Sequence, residues 1–283
     1  MITKDNSATE LEPITLMLLG GGIRFPAFTG ALQAIEEKSL NIRKIVGSST
    51  GSIIGSLYAS GMSPAEIQQE TLAVDTTSFK DFNPISVFTG KGIYEGKALE
   101  SWVDEKLNGQ TFSGDFRIPP HVIATDILNY KPVIFSARTF PDLKVATAAR
   151  FSTGVPWVYA YRQFTHKGKK HIFIDGTLMS GLIEESLAKQ EKTLVLKVVS
   201  KRTLNHPVSD NFTLKKYFQE ILTFSMHSIE KEFIKGGKWK NTILLYCADI
   251  APAKFNLTEN EKKYLFDQGY EQTLKYLEYK WGI

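Results

Sequence analysis

The sequence is poor in several features that would define other kinds of protein. Among 283 residues there is a single cysteine, Cys247, which excludes an internal disulfide and most thiolate metal sites. Cys247 lies in the run NTILLYCADI and reads as a buried strand residue. No apolar run approaches the roughly 20 residues that a membrane-spanning helix needs. The opening MITKDNSATELEP lacks the apolar stretch of a secretory signal. Net charge is only +4 and the pI about 8.9. That is too weak to argue for nucleic acid and compatible with an anionic membrane surface or substrate. Together these absences predict a soluble protein of a reducing cytosol, able to attach peripherally to membranes, with a leaderless export route left open.

What is present is enough for a core: 42% of residues are hydrophobic and 23% charged, which fits one large folded domain. No repeat, low-complexity tract or linker divides the chain. Strand-like runs alternate with helix-like ones. ITLMLLG, IRKIVGS, HVIATDIL, KPVIFSA, HIFID, TLVLKVVS and TILLYCA read as strands, with HVIATDIL and KPVIFSA paired about the Asn129-Tyr130 turn. AFTGALQAIEEKS, TGSIIGSLYAS, GKALESWVDEKLN and LKVATAARFS read as helices. Another helix opens at Ser63-Pro64-Ala65-Glu66 with a capping box. A long helix is expected from Leu214 to Lys235. A last one starts at Thr258, with Phe266, Tyr270, Leu274, Leu277 and Trp281 as its apolar stripe. The alternation predicts a single α/β layered domain over residues 1–283, with a central, largely parallel sheet flanked by helices. Residues 14–180 carry the motifs, and 181–283 complete the same domain.

At IVGSSTGSIIGSLYASG an apolar strand runs into Gly47-Ser48-Ser49-Thr50-Gly51 and then directly into a helix. A serine between two glycines at a strand–helix junction suits a nucleophile elbow: the turn is strained, and its neighbours must be small because strand and helix approach closely. Ser49 is the candidate nucleophile. Ser48 stands at the variable position, where no role is expected. The first strand ends in Gly20-Gly21-Gly22-Ile23, whose backbone N–H groups can point inward at a developing oxyanion. A dinucleotide loop fits less well, because Phe25 stands where the third spaced glycine belongs, and no Lys-Ser/Thr follows to make a phosphate loop. Arg24 is a candidate contact for an anionic head group, or else a surface or ion-paired residue.

Ser49 needs a base. Of the five histidines, only His206 and His227 follow in the order of an α/β-hydrolase triad, and neither stands in a short loop after a late strand. Asp175 ends the apolar strand HIFID and precedes Gly176, so a partly desolvated carboxylate at a sheet edge is available as base. A mere turn-forming Asp-Gly pair is the plainer alternative.

GGGIR at Gly20 to Arg24, GSSTG at Gly47 to Gly51 and the later Asp175-Gly176, in this order, resemble the patatin-like phospholipase family. SIIGSLYASG and VATAARFSTGVP resemble it as well, so the likeness spans Ile14 to Ser180. Phe25, Thr50 and Thr177 depart from the family pattern, and Phe25 could narrow the oxyanion loop. The resemblance implies a lipid acyl hydrolase of phospholipase A or lysophospholipase type, with a Ser49–Asp175 dyad, no histidine, no metal and no organic cofactor. The alternatives are an esterase with a histidine triad and a lipid-binding pseudoenzyme. The implied partner is a membrane lipid substrate met by peripheral contact, not nucleic acid. FKDFNPISVFTGKGIY, with Phe88 at its centre, reads either as an apolar lid or rim for acyl chains or as a loop tucked onto the core. HKGKKH reads as a basic hairpin turn.

Overall fold

The computed structural model describes residues 12–199, 217, 241–250 and 256–283. Of the expected helix at 214–235 only Tyr217 is described, and His206 and His227 lie outside the described residues.

The described strands are β1 (Ile14–Leu19), β2 (Ile42–Ser48), β3 (Pro120–Asp126), β4 (Lys131–Phe135), β5 (Arg162–His166), β6 (Lys169–Ile174), β7 (Thr193–Val199) and β8 (Thr242–Tyr246). They form one sheet in the order β5-β6-β3-β2-β1-β7-β8, with β4 paired to β3. The β1–β2, β1–β7, β2–β3 and β7–β8 pairs are parallel, while β3–β4, β3–β6 and β5–β6 are antiparallel. The sheet is therefore mostly parallel with an antiparallel end. HKGKKH is indeed the β5–β6 turn, with Lys167 and Gly168 both at positive φ.

The described helices are α1 (Pro26–Glu37), α2 (Thr50–Ala59), α3 (Pro64–Ala73), α4 (Pro84–Phe88), α5 (Lys97–Lys106), α6 (Val145–Ser152), α7 (Ser180–Ala188) and α8 (Glu259–Tyr276). The expected capping box forms at Ser63/Glu66, and the last helix starts at Thr258 as expected, with a capping box to Glu261. Alternate residues of β1 serve opposite faces. Leu16 and Leu18 join the main core with α1, α2 and α6; Met17 and Leu19 join a smaller cluster closed by Ile183 and Leu187 of α7.

Helix α8 buries only part of the expected stripe. Leu277, just past its end, is fully buried and Trp281 packs on the core as expected, but within the helix Leu265, Gly269 and Thr273 are buried, each one position before the half-buried Phe266, Tyr270 and Leu274. The reason is backbone contact. A Cβ on Gly269 would strike the carbonyl of Ala27, and one on Gly30 would strike that of Phe266. Two glycines let α1 and α8 meet closely, so small residues occupy the seam. None of the described helices is long and apolar enough to cross a membrane.

One feature of the sheet positions the site. The β4 hairpin occupies one edge of β3 from Val122 to Asp126. On the other edge β2 pairs as far as Ser48↔Ile123, and β6, running the opposite way, pairs from Thr125↔Ile174. Thus β2 and β6 run head to head along one edge of β3, and the residues after their last ones are Ser49 and Asp175.

Candidate active site

Ser49 is the turn residue between β2 and α2. Its backbone lies at φ 52° and ψ −135°, a conformation a side-chain-bearing residue rarely adopts. The turn closes only because its flanks are glycine. A Cβ on Gly47 would run into the backbone of Ser52, and one on Gly51 into the Leu18 carbonyl. The Ser49 N–H donates to Ser152 Oγ at 2.8 Å, and Ser152 in turn donates to the Ile123 carbonyl at 2.5 Å. The Ser52 hydroxyl donates to the Ser49 carbonyl at 2.6 Å. Strain at Ser49 is thus held from both sides.

Ser49 Oγ donates to Asp175 Oδ2 at 2.7 Å, and both side chains are buried. The other carboxylate oxygen, Oδ1, accepts from the Thr177 N–H at 2.8 Å. The Asp175 backbone is pinned by its N–H on the Gly154 carbonyl (3.0 Å) and by Thr125 Oγ1 donating to its carbonyl (2.9 Å). Burial pushes the Asp175 carboxyl above its ordinary range, and the hydrogen bonds from Ser49 and Thr177 pull it only part of the way back. A carboxylate with a raised pKa at hydrogen-bond distance from a hydroxyl is equipped to take its proton.

The glycine loop lies beside this pair, with Gly20, Gly21 and Gly22 at φ 76°, 109° and 57°. Gly20 is not available as an oxyanion donor. Its N–H is held by the Ser48 carbonyl at 3.2 Å and by Ser48 Oγ at 3.1 Å. Ser48, read as a residue without a role, therefore fastens the loop to the elbow, as does the Gly51 N–H donating to the Gly20 carbonyl at 3.2 Å. Gly21, Gly22 and Ile23 carry the remaining candidate donors, Ile23 within the short 3-10 turn Gly22–Arg24.

Arg24 differs from the expectation of a head-group or surface residue. It is 1% exposed, and its Nε donates to the Gly21 carbonyl at 3.1 Å, so it braces the loop from inside. Phe25 is in ordinary helical geometry at φ −53° and buried in the main core, so no glycine is needed there. The Thr177 side chain lies against Gly20, where a Cβ would stand 3.4 Å from Thr177 Cγ2.

The described histidines have other partners. His171 Nδ1 pairs with Asp126 Oδ2 at 2.6 Å, His166 packs on Phe140 and Phe164, and His121 Nδ1 faces the Pro119 carbonyl. Phe88 is 94% exposed at the end of α4, so its segment is not tucked onto the core there. Among the described residues no group of three or more His, Cys, Asp or Glu is placed to hold a metal ion. Sequence reasoning missed Ser48, Ser152 and Thr125. Ser48 and Ser152 lie in segments already noted as family-like; Thr125 carried no signal.

The chain matches the patatin-like phospholipase family model over residues 16–188. It is 25% identical over 282 residues to the Bacillus subtilis protein YqhO, covering 91% of this chain and 96% of that one. A probable lipid hydrolase of invertebrate iridescent virus 6, 463L, is 26% identical over 174 residues, 57% of this chain and 59% of its own. Among solved structures, VipD from Legionella pneumophila aligns with a TM-score of 0.62 at 16% identity, over 94% of this chain and 67% of that chain. The type III effector ExoU of Pseudomonas aeruginosa aligns at 0.55 and 17%, over 95% of this chain and 53% of that chain. These two likenesses establish the fold.

Proposed function

Because the chain belongs to the patatin-like phospholipase family, we propose that it is a lipid acyl hydrolase of phospholipase A or lysophospholipase type, acting through a Ser49 acyl-enzyme with Asp175 as base. The observation that carries this reading is the buried 2.7 Å hydrogen bond from Ser49 Oγ to Asp175 Oδ2. In the first step Ser49 Oγ attacks the ester carbonyl of a membrane lipid and its proton passes to Asp175. The tetrahedral oxyanion is held by N–H groups of Gly21, Gly22 and Ile23, each such donor being worth about 3–4 kcal/mol. Asp175 then returns the proton to the departing alcohol. A water molecule attacks the acyl-enzyme with Asp175 again as base, and a fatty acid leaves. The probable lipid hydrolase among the relatives supports the same substrate class.

The test is acyl release from a panel of defined phospholipids, lysophospholipids and glycolipids, with wild type beside Ser49→Ala. Release by the wild type alone supports the reading. A folded wild type that releases no acyl chain and is not labelled at Ser49 by a fluorophosphonate would favour a lipid-binding pseudoenzyme.

A further inference from the structure

Helix α4 is built inside out for a surface helix. Asn83 caps it, its Oδ1 accepting from the N–H groups of Ile85 and Ser86. Its polar side faces the protein: Ser86 is buried and donates to Glu95 Oε1 at 2.6 Å, and Asn83 bonds the same carboxylate. Its apolar side faces out, with Ile85 71% and Phe88 94% exposed and Phe82 and Val87 also exposed. A helix on a water-facing surface normally shows the reverse arrangement, and an apolar patch of this kind marks an interaction site.

The tip is anchored to the backbone that holds the base. The Ile93 N–H donates to the carbonyl of Trp157, itself 52% exposed, and Tyr94 N–H donates to Val158. Arg150 Nη2 staples both strands of this base, donating to the carbonyls of Glu95 and Ala160 at 2.8 and 2.7 Å. Three residues before Trp157, the Gly154 carbonyl accepts the Asp175 N–H. Gly154 and Trp157 are thus no more than about 11 Å apart.

Charge narrows the choice of partner. Residues 82–91 contain no carboxylate and one charged group, Lys91. The flanking carboxylates are turned inward, Asp81 onto the N–H groups of Gly96 and Ala98 and Glu95 onto Asn83 and Ser86. A short, exposed apolar tip with an ammonium and with its flanking carboxylates bonded to the chain matches a phosphate-bearing lipid surface. Such a patch, lacking the matched anchors of a peptide-binding helix groove, fits shallow insertion among lipid head groups.

We propose that the α4 tip and Trp157 are the surface by which this protein docks on a phospholipid bilayer, with Phe82, Ile85, Phe88 and Trp157 entering the head-group region and Lys91 at the level of the phosphates. The choice of a bilayer rests on the hydrolase reading above. Docking there sets the backbone that carries Asp175 beside the lipid surface.

The test uses the full chain carrying Ser49→Ala, so that vesicles are not consumed. Vesicles are phosphatidylcholine with and without phosphatidylglycerol, and the readouts are flotation and quenching of tryptophan emission by brominated acyl chains. The chain should float, more strongly with phosphatidylglycerol. Phe82→Asp with Ile85→Asp, folded by circular dichroism, should lower partition at least about tenfold. Tyr279→Asp, at a residue 84% exposed outside the tip, should stay within about twofold. Quenching should be largely lost in Trp157→Phe. Absence of flotation, equal partition of the tip variant, equal loss in Tyr279→Asp, or quenching indifferent to Trp157→Phe would each overturn the proposal. Self-association dispersed by the tip variant, without flotation, would make the tip an interface between copies and overturn it as well. Flotation without acyl release by the wild type would leave docking standing and sink the hydrolase reading; release without flotation would do the opposite.

Discussion

At the scale of single residues, the buried Asp175 carboxyl bears on stability as well as on the proposed chemistry. Its carboxyl is raised by burial, so the charged form is the one the fold disfavours. With a folded-state pKa above the unfolded value, the stabilisation is complete below the ordinary aspartate range and lost as pH rises through the raised pKa. Asp175→Asn, which can accept from the Thr177 N–H and donate to Ser49 Oγ, should therefore melt at a higher temperature than wild type at neutral pH. The advantage should vanish below the ordinary range, as thermal melts across pH would reveal. The same shift predicts that kcat/KM on a soluble ester falls on the acid side through a pKa above the usual carboxylate range; a limb within that range would contradict the environment described for Asp175. Ser48 makes a smaller prediction. Ser48→Ala leaves Gly20 N–H the Ser48 carbonyl but not the hydroxyl, so single-turnover acylation should drop by about three- to tenfold, the worth of one ordinary hydrogen bond.

At the scale of elements, the site is held by close approaches that only glycine permits. Gly51→Ala would drive a methyl group into the Leu18 carbonyl, and neither strand β1 nor helix α2 can move without disturbing the other. Gly269→Ala is a subtler probe, because its clash is with the Ala27 carbonyl at the start of α1. The glycine loop runs directly into α1 through the turn Gly22–Arg24, so a displaced α1 displaces the loop. Gly269→Ala should lose about 2 kcal/mol or more, or roughly 4–8 °C in melting temperature. It should also slow acylation, although residue 269 lies on the last helix. Normal acylation in a destabilised Gly269→Ala would show that the α1–α8 seam serves stability alone.

At the scale of the whole molecule, what was legible in the sequence was local. Gly47, Ser49 and Gly51 mark the elbow because its geometry forbids larger neighbours, and Asp175-Gly176 marks a strand end. The meeting of the two was not legible. It depends on β4 taking one edge of β3 so that β2 and β6 share the other, a consequence of sheet topology. Elements with weak patterns were also missed: α4 has five residues, β5 is polar, and α7 follows the last motif. The α8 stripe held at Leu277 and Trp281 but was displaced by one position where the seam with α1 selects Gly269 and Thr273, because periodicity marks large apolar residues and not small ones. A head-group or surface place for Arg24 follows from charge normally facing outward; the Gly21 carbonyl gives it an inward partner that no spacing rule reveals.

The central claim is that Ser49 is activated by Asp175 and not by a histidine. Single-turnover acylation of wild type, Asp175→Asn, His206→Gln and His227→Gln tests it most directly, with circular dichroism confirming that each variant is folded. The Ser–Asp account predicts a fall of at least about a hundredfold for Asp175→Asn and rates within about threefold of wild type for both histidine variants. A folded Asp175→Asn acylating at nearly the wild-type rate, or a histidine variant as damaged as Ser49→Ala, would contradict it.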